Sequence, residues 1–204
     1  MKIGVISDCH GDLLNLQAAL DFLDGEAVDQ IVCAGDLVDR LPHSNEVVAL
    51  IRARDIPTVR GNHDHNPQQH EVLSDETLRY ARTLPFPLTF EWAGHRVMLA
   101  HGTPWSLDQY IFPSSDPILF RQIAQFSQTD IVILGHTHTP MIVNVEDRCW
   151  VLNPGTTCEA CSYGFATCGI LTLDEGHVQL EPKFTVYDFI NGMELLVDEV
   201  KIDR

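Results

Sequence analysis

Five short clusters of polar residues, each directly after an apolar run, carry most of the side chains that could do chemistry in this chain. They are DCH from Asp8, GDLVD from Gly35, GNHD from Gly61, the single His101 after RVMLA, and GHTH from Gly135. Carboxylate, amide and imidazole groups together form a donor set of intermediate softness, which suits Mn, Fe, Co, Ni or Zn better than Ca. The clusters therefore predict a site for divalent transition-metal ions.

Taken one at a time, the clusters have simpler explanations. A lone histidine after a strand, such as His101, is more often a hydrogen-bonded loop residue than a ligand. GNHD is also a turn sequence, because glycine and asparagine tolerate left-handed conformations. Turn chemistry does not, however, require histidine at three separate strand ends. The occurrence of all five clusters in order favours the metal site.

The apolar runs are typical of buried strands, since they are short, rich in β-branched residues and ended by Gly, Pro or Asp. They are KIGVIS, DQIVCA, IPTVR, RVMLA, DIVIL, WVLN and GILTL. Helical spacing in GDLLNLQAALDFLD and SNEVVALIRARD predicts a helix after each of the first two strands, with Ser44 as the second N-cap. This order predicts parallel strands with right-handed crossovers. Because ligands bind beyond the carboxyl ends of such strands, the five clusters are expected to converge.

The remaining segments have weaker patterns. Residues 62–90 are polar, and we expect them to be helical only in part, in DETLRYARTL. After His138 the pattern predicts strands and turns alone.

Length, composition and charge narrow the class of protein. A chain of 204 residues that is 45% hydrophobic can bury one core, so we expect a single domain over residues 1–204. The net charge of −16 argues against binding to nucleic acid or an anionic membrane, because both are polyanions. We find no signal-peptide pattern and no run near the roughly 20 apolar residues of a membrane span, which predicts a cytoplasmic protein.

The six cysteines would indicate disulfides in a small secreted chain, but no signal peptide accompanies them. We therefore expect reduced thiols. Cys158 and Cys161 have CxxC spacing, and no second CxxC completes a four-thiolate zinc site. Two ordinary loop thiols are favoured over zinc binding or redox chemistry.

The clusters DCH, GDLVD, GNHD, the His of LAHG, and GHTH resemble the five motif blocks of the calcineurin-like metallophosphoesterases. NPGT at Asn153 to Thr156 is similar to the next strand end of that family. The nearest likeness is to its small, uncapped bacterial and archaeal phosphodiesterases. The resemblance implies an α/β fold, a four-layer α/β/β/α sandwich of two mixed sheets flanked by helices.

The resemblance also implies two divalent metal ions, with Mn as the first expectation and Fe, Zn, Ni or Co as alternatives. Seven ligands are implied, with Asp36 bridging the two ions. The first ion takes Asp8, His10, Asp36 and His138, and the second takes Asp36, Asn62, His101 and His136. Since only two of these ligands are carboxylates, the loaded site would keep a net charge of about +2. An anionic substrate can therefore bind to an acidic protein.

In the family, a hydroxide that bridges the two ions attacks phosphorus in line with the leaving group. The resemblance gives His63 of GNHD the task of protonating or stabilising the leaving oxygen. We expect the neighbouring Asp64 to orient the His63 ring. Asp39 of GDLVD is an alternative for that role, or no more than a carboxylate at a helix start.

Arg40 is the candidate for binding substrate phosphate. GDLVDR is close to the GDxVDRG of protein Ser/Thr phosphatases and dinucleoside tetraphosphate hydrolases, in which this arginine grips the phosphate. Here Leu41 replaces the final glycine and Pro42 follows, so a solvated loop charge is an equal alternative.

Other notable side chains are expected to have structural roles and not to bind metal. His43, His65, His70, His95 and His177 lack partners at ligand spacing and are expected on the surface or in loops. Three aromatic residues follow His101: Trp105, Tyr110 and Phe112. They could line a substrate pocket or only pack within their loop, and packing is favoured.

The sequence thus predicts a metal-dependent phosphodiesterase acting on a small phosphorylated substrate. The alternatives are a phosphomonoesterase, like the protein phosphatases or dinucleoside polyphosphate hydrolases, and a protein-binding scaffold of the same fold. The complete ligand set argues against the scaffold. Edge strands in the last third could pair subunits in a homo-oligomer, although no interface is identified.

Overall fold

The short apolar runs of the sequence form strands in two separate sheets. The computed structural model describes residues 1–67, 72–162, 164–174 and 182–203. Within these residues the strands are β1 (Lys2–Ile6), β2 (Gln30–Cys33), β3 (Leu88–Trp92), β4 (His95–Leu99), β5 (Ile131–Ile133), β6 (Met141–Val145), β7 (Cys149–Asn153), β8 (Thr167–Thr172), β9 (Lys183–Asp188), β10 (Met193–Leu195) and β11 (Glu199–Ile202). The first sheet has the order β10-β9-β8-β1-β2, and the second has the order β11-β6-β7-β5-β4-β3.

Helices connect several of these strands. In the described residues they are α1 (Leu13–Gly25), α2 (Ser44–Ala53), α3 (Asn62–His65), α4 (Asp75–Thr83) and α5 (Pro117–Ser127), with a 3₁₀ turn at Glu159–Cys161. Helix α1 begins where the Asp12 side chain accepts a hydrogen bond from the Asn15 amide. The expected N-cap of α2 is wrong by one residue: His43 occupies the cap, and Ser44 instead accepts a bond from the Asp39 amide. No helix of the described residues has the length and apolar character needed to cross a membrane.

Alternate residues of each strand point into different layers. Ile3 and Val5 of β1 belong to the core between the two sheets, whereas Ile6 packs with α1 and α2 on the outside of the first sheet. Helix α5 covers the outside of the second sheet through Phe120 and Ile123. The predicted four-layer α/β/β/α sandwich of two mixed sheets is confirmed.

The β-α-β prediction holds for β1 and β2, which pair in parallel. The expected third strand, IPTVR, is reduced to a parallel bridge between Cys33 and Thr58. Pro57 has no amide hydrogen and cannot donate a hydrogen bond to β2. Its carbonyl still accepts from the Cys33 amide at 2.9 Å. The predicted helix in DETLRYARTL is present as α4.

Strand β3 and helix α5 are among the elements that the sequence patterns did not predict. Strand β3 lies in the stretch expected to be polar and irregular, and it pairs antiparallel with β4. Helix α5 fills the crossover from β4 to β5, and its start had a signal in Asp116 as N-cap with Pro117 in the first turn.

The cysteine prediction is correct for four residues and wrong for two. Free, buried thiols are found at Cys9, Cys33, Cys149 and Cys168. Cys158 and Cys161 form a disulfide across the 3₁₀ turn, with Cα atoms 5.2 Å apart. The turn brings the two side chains within bridging distance, which the inference from compartment alone did not consider.

Candidate metal centre

The polar clusters meet where their strands end. Asp8 and His10 follow β1, Asp36 follows β2, and His136 and His138 follow β5. All five residues have positive φ, between 46° and 67°. Left-handed backbone costs a non-glycine residue roughly 1–2 kcal/mol, so the surrounding structure must hold these loops in place.

Backbone hydrogen bonds between the loops provide that support. The amides of Asp8 and His10 donate to the carbonyls of Gly35 and Asp36, both at 2.9 Å. The Gly135 amide donates to the His101 carbonyl at 2.9 Å. Each loop therefore fixes the conformation of another, which orients the side chains before any ligand binds.

The glycines of GNHD and GHTH are required by close approach. A Cβ at Gly61 would overlap the Asp36 carboxylate, and a Cβ at Gly135 would overlap the Ser7 hydroxyl and lie 2.9 Å from Asp8 Oδ2. Neither glycine has positive φ. At these two positions glycine therefore makes room for neighbouring side chains and does not supply a left-handed turn.

A first group of ligand atoms converges from Asp8, His10 and His138. His138 Nε2 lies 3.3 Å from Asp8 Oδ1 and 3.1 Å from His10 Nε2. His10 Nε2 is also 3.7 Å from Asp36 Oδ2. Three of the four atoms predicted for the first ion thus surround one small space, and Asp36 lies at its edge.

A second group converges from Asp36, His101 and His136. His101 Nε2 lies 3.3 Å from Asp36 Oδ2 and 3.0 Å from Asn62 Oδ1. All residues predicted for the second ion therefore meet here. Because Asp36 also approaches His10 of the first group, it occupies the position between the two groups.

The outer nitrogens of two rings are held by backbone carbonyls. His101 Nδ1 donates to Ala34 O at 2.7 Å, and His138 Nδ1 donates to Cys161 O at 2.9 Å. With the proton on Nδ1, the Nε2 lone pair points into the site, which is the tautomer that binds a metal.

Two buried atoms test whether a cation fits. Asp8 Oδ1 and His136 Nε2 are buried and have no hydrogen-bond partner. Buried polar atoms without partners are rare, because such an atom loses its hydrogen bonds to water and gains none in the protein, which destabilises the fold. Both atoms lie in the two groups of ligands. A divalent ion in each group would satisfy them, so the donor set fits two cations.

The ionisation of the buried side chains differs between the two groups of ligands. Burial alone would raise the pKa of Asp8, but electrostatic attraction to the nearby His138 and His101 rings outweighs burial and the pKa is lowered. Burial lowers the pKa of His10 to about 4. Burial would lower the pKa of His101 as well, but the Asp36 carboxylate raises it to about 10. Cation binding at the second group must therefore displace a proton from His101.

His63 is oriented by Asp39, and the expectation that Asp64 orients it is wrong. His63 Nδ1 and Asp39 Oδ2 are 2.8 Å apart. Asp64 is fully buried and accepts from backbone amides instead, those of Asp36 at 2.8 Å, Gly61 at 2.9 Å and Leu37 at 2.9 Å. Burial raises the pKa of Asp64 to about 6, against the effect of these amides. Asp64 is turned inward because the short helix α3 places it toward the loop of GDLVD.

Arg40 is exposed at the rim of the site. Its positive charge opposes protonation of both His10 and His138, but burial is the main reason that the pKa of His10 is lowered, and the Asp8 carboxylate raises the pKa of His138. Arg40 has φ 75°, and its amide donates to Asp39 Oδ1 at 3.1 Å. The guanidinium is thus close enough to the first group of ligands to influence it.

The aromatic residues after β4 divide into two sets. Tyr110 stacks on the His136 ring with centroids 4.0 Å apart and stays 57% exposed. Phe112 stacks in turn on Tyr110. Trp105 contacts Phe126 instead, which agrees with loop packing. Of these three residues, Tyr110 and Phe112 extend from the ring of a candidate ligand toward solvent.

Side chains of the NPGT segment donate hydrogen bonds to the backbone of the ligand loops, and these bonds were not predicted from the sequence. Asn153 Nδ2 donates to Gly135 O at 2.7 Å, and Thr156 Oγ1 donates to Asp8 O at 2.7 Å. Ser7 Oγ donates to Asp8 Oδ2 at 2.5 Å. The position of NPGT directly after a predicted strand was the available signal for the first two.

The histidines predicted to lie outside the site are outside it where they are described. His43 and His65 are exposed, and His95 is half-buried in β4. His70 and His177 lie outside the described residues.

Comparisons with known proteins agree with this geometry. A family model for the calcineurin-like phosphoesterase superfamily domain matches residues 1–176. Phosphodiesterase MJ0936 of Methanocaldococcus jannaschii is 28% identical over 177 residues, which cover 86% of this chain and 95% of that protein. A crystal structure of a metallophosphoesterase from Sphaerobacter thermophilus superposes with a TM-score of 0.66 at 26% identity, covering 83% of this chain and 82% of that one. Vacuolar protein sorting 29 from Cryptosporidium parvum is similar in fold, with a TM-score of 0.65 at 19% identity over 95% of this chain and 94% of that one.

Proposed function

Because the chain belongs to the calcineurin-like phosphoesterase superfamily, we propose that it hydrolyses a small phosphodiester with the help of two divalent metal ions. The observation that carries this proposal is the pair of ligand groups that meet at Asp36. When bound, two such ions lower the pKa of a water molecule toward neutrality and stabilise charge on phosphoryl oxygens. Manganese is the ion that we propose.

The geometry of the two groups supports a division of the ligands between the ions. Asp8, His10 and His138 would hold the first ion, and Asn62, His101 and His136 would hold the second. Asp36 would be shared by both. The carbonyls of Ala34 and Cys161 keep His101 and His138 in the binding tautomer.

His63 is the proposed proton donor to the leaving oxygen. Asp39 holds Nδ1, so Nε2 is the nitrogen left to face a substrate. The side chain of His63 is 11% exposed, which gives it access from solvent at the edge of the site. Asp64 acts indirectly in this scheme, since it fixes the loop that carries Asp36.

Arg40 is the proposed contact for the non-bridging phosphate oxygens, because it lies at the rim beside the first ligand group. The same residue supports the second candidate, a phosphomonoesterase, since a dianionic phosphate gains more from a guanidinium than a diester does. The diesterase is preferred because relatives of similar length are named phosphodiesterases, among them MJ0936.

The scaffold alternative is less well supported. Likeness to vacuolar protein sorting 29 at 19% identity concerns the fold alone. A protein that uses only its outer surface has no need for strained loops and orphaned buried atoms in one place. These features carry a stability cost that metal binding offsets.

The test is metal-dependent turnover. Protein stripped with a chelator should be inactive on bis-p-nitrophenyl phosphate and should regain activity with Mn²⁺. Asp36→Asn, measured beside wild type, should not regain it, because both ion groups lose their shared carboxylate. Parallel assays on p-nitrophenyl phosphate decide between the two candidates: a higher kcat/KM for the monoester favours the phosphomonoesterase. Absence of turnover with every divalent ion tried would refute both.

A further inference from the structure

A large apolar pocket lies directly beside the first ligand group. Its volume is about 640 Å³, within the usual range of about 300–1,000 Å³ for ligand pockets. His138 forms part of its wall. Most of the remaining wall is apolar, from Pro113, Pro140, Phe165, Leu195, Leu196 and Val197. We call this space the tail pocket.

One side of the tail pocket comes from chain that follows the matched family region. The family model ends at residue 176, whereas Leu195 to Asp198 lie between β10 and β11. Strand β11 pairs in parallel with β6, and Glu199 is opposite Ile142. Because Ile142 is only four residues after His138, this pairing brings the tail segment to the ligand loop. This side of the wall therefore lies outside the region that the family model matches.

Two side chains of the pocket are unusually exposed for their size. Leu196 is 99% exposed and Phe165 is 54% exposed. Large apolar side chains that leave the core at a concave site favour ligands able to cover them. Their place beside a metal-site ring makes a substrate group the natural occupant.

The charges of the pocket define that occupant further. Asp198 is among the described residues that line it, and none of those residues is Lys or Arg. A second phosphate or a carboxylate on the substrate would be repelled by Asp198 and would lose hydration without compensation. The wall thus favours an uncharged group of at least the size of a phenyl ring.

We propose that the tail pocket binds an uncharged, apolar ester group of the phosphodiester substrate while the phosphate lies at the metal centre. This inference rests on the proposed function, because the pocket supplies no ligand for phosphate by itself. The pocket then selects among diesters: those with an aryl-sized or larger apolar ester group bind more tightly than those with small ester groups only.

Non-hydrolysable phosphonates test the pocket without dependence on leaving-group chemistry. Calorimetric titration of the Mn²⁺-loaded protein should show benzylphosphonate binding about tenfold more tightly than methylphosphonate, because the ring buries apolar area. Phe165→Ala and Leu196→Asp should each remove most of this preference, and Phe165→Ala, which adds no charge, should leave methylphosphonate affinity unchanged. Ile118→Asp is the matched control, since Ile118 is 53% exposed on α5 and does not line the pocket.

The outcomes separate the two proposals. Equal affinity of wild type for both phosphonates would overturn the tail-pocket inference and leave the metal centre intact. A preference that survives both pocket variants, or that disappears equally in Ile118→Asp, would also overturn it. If neither phosphonate binds while the loaded protein turns over bis-p-nitrophenyl phosphate, the pocket inference alone is overturned; if that turnover is also absent, the proposed function fails as well. Selective loss in the two pocket variants supports the inference.

Discussion

His63 is held at the metal centre by two contacts from the loop that follows β2. Its ring nitrogen Nδ1 contacts Asp39 at 2.8 Å, and its amide donates to Asp36 Oδ1 at 2.9 Å. The first contact orients the ring, and the second ties its backbone to the carboxylate between the two ligand groups. His63 is thus fixed beside the two ligand groups, in the position that the proposed proton transfer requires.

Removal of the His63 ring should separate catalysis from metal binding. We expect His63→Ala to lower kcat by about 10²–10⁴-fold, the usual effect of losing a general acid, with metal content near two ions per chain. Steady-state rates and elemental analysis of the purified variant measure the two quantities. His65→Ala is the control, because His65 is exposed two residues away. Since His63 also lies within 4.8 Å of the ligand atoms of His10 and Asp36, loss of metal would identify it as a ligand.

Asp64 stabilises the fold by accepting hydrogen bonds from backbone amides. Its two oxygens accept from the amides of Asp36, Leu37 and Gly61. In Asp64→Asn an amino group replaces one oxygen and leaves buried donors unpaired, so the free energy of unfolding should fall by about 2–3 kcal/mol. Urea unfolding measures this change. Asp21→Asn, on the exposed side of α1, should stay within about 0.5 kcal/mol of wild type. A stable Asp64→Asn protein with a selective loss of kcat would contradict this role.

At the scale of elements, the 3₁₀ turn Glu159–Cys161 links the disulfide to the metal centre. The Cys161 carbonyl accepts from His138 Nδ1 at 2.9 Å. Cys158 begins the same turn, and its amide donates to Thr156 Oγ1 at 3.0 Å. The disulfide therefore restrains the turn whose carbonyl selects the tautomer of a proposed ligand.

Loss of the disulfide should weaken one ion more than the other. We expect the double change Cys158→Ser and Cys161→Ser to reduce Mn²⁺ affinity at the first group by several-fold, below the roughly 10–100-fold effect of removing such a partner outright. Titration of stripped protein with Mn²⁺, followed by calorimetry, resolves the two binding steps. Wild type reduced by a phosphine should behave like the variant. Unchanged affinity in both would show that the remaining hydrogen bonds suffice to hold the turn.

At the scale of the whole molecule, the charge of the chain opposes its proposed substrate. The net charge is −16, while the two ions would make only the first shell of ligands positive. The long-range field therefore repels an anion that the site attracts at short range. Salt screens the long-range part first, because the Debye length falls from about 30 Å at 0.01 M to about 10 Å at 0.1 M.

The balance between long-range repulsion and short-range attraction predicts the direction in which ionic strength changes kcat/KM. We expect kcat/KM for bis-p-nitrophenyl phosphate to rise by about twofold between 0.01 M and 0.1 M KCl, since repulsion is screened. Initial rates at saturating Mn²⁺ measure this directly. A decrease of similar size would mean that the local field of the site, with Arg40 at its rim, already dominates at long range.

The sequence alone was sufficient for the elements and ligands that depend on local pattern. Strand ends followed by Asp8, Asp36 and His138 could be recognised because short, β-branched apolar runs mark buried strands and each candidate ligand follows within a few positions. Resemblance to a family supplied the pairing of ligands with ions and the second sheet. The order of the strands and of the motif residues along the chain is a property of the sequence itself, so it can be predicted without the structure.

Only the tertiary structure decided which groups meet across distant segments. Asp39 rather than Asp64 contacts His63, the turn at Cys158 closes a disulfide, and residues 196–198 come to lie beside His138. Each of these depends on the packing of loops from different strands, where a shift of a few ångströms changes the partner. Local propensity carries no such distance information, because it concerns neighbours along the chain and not those brought together by burial.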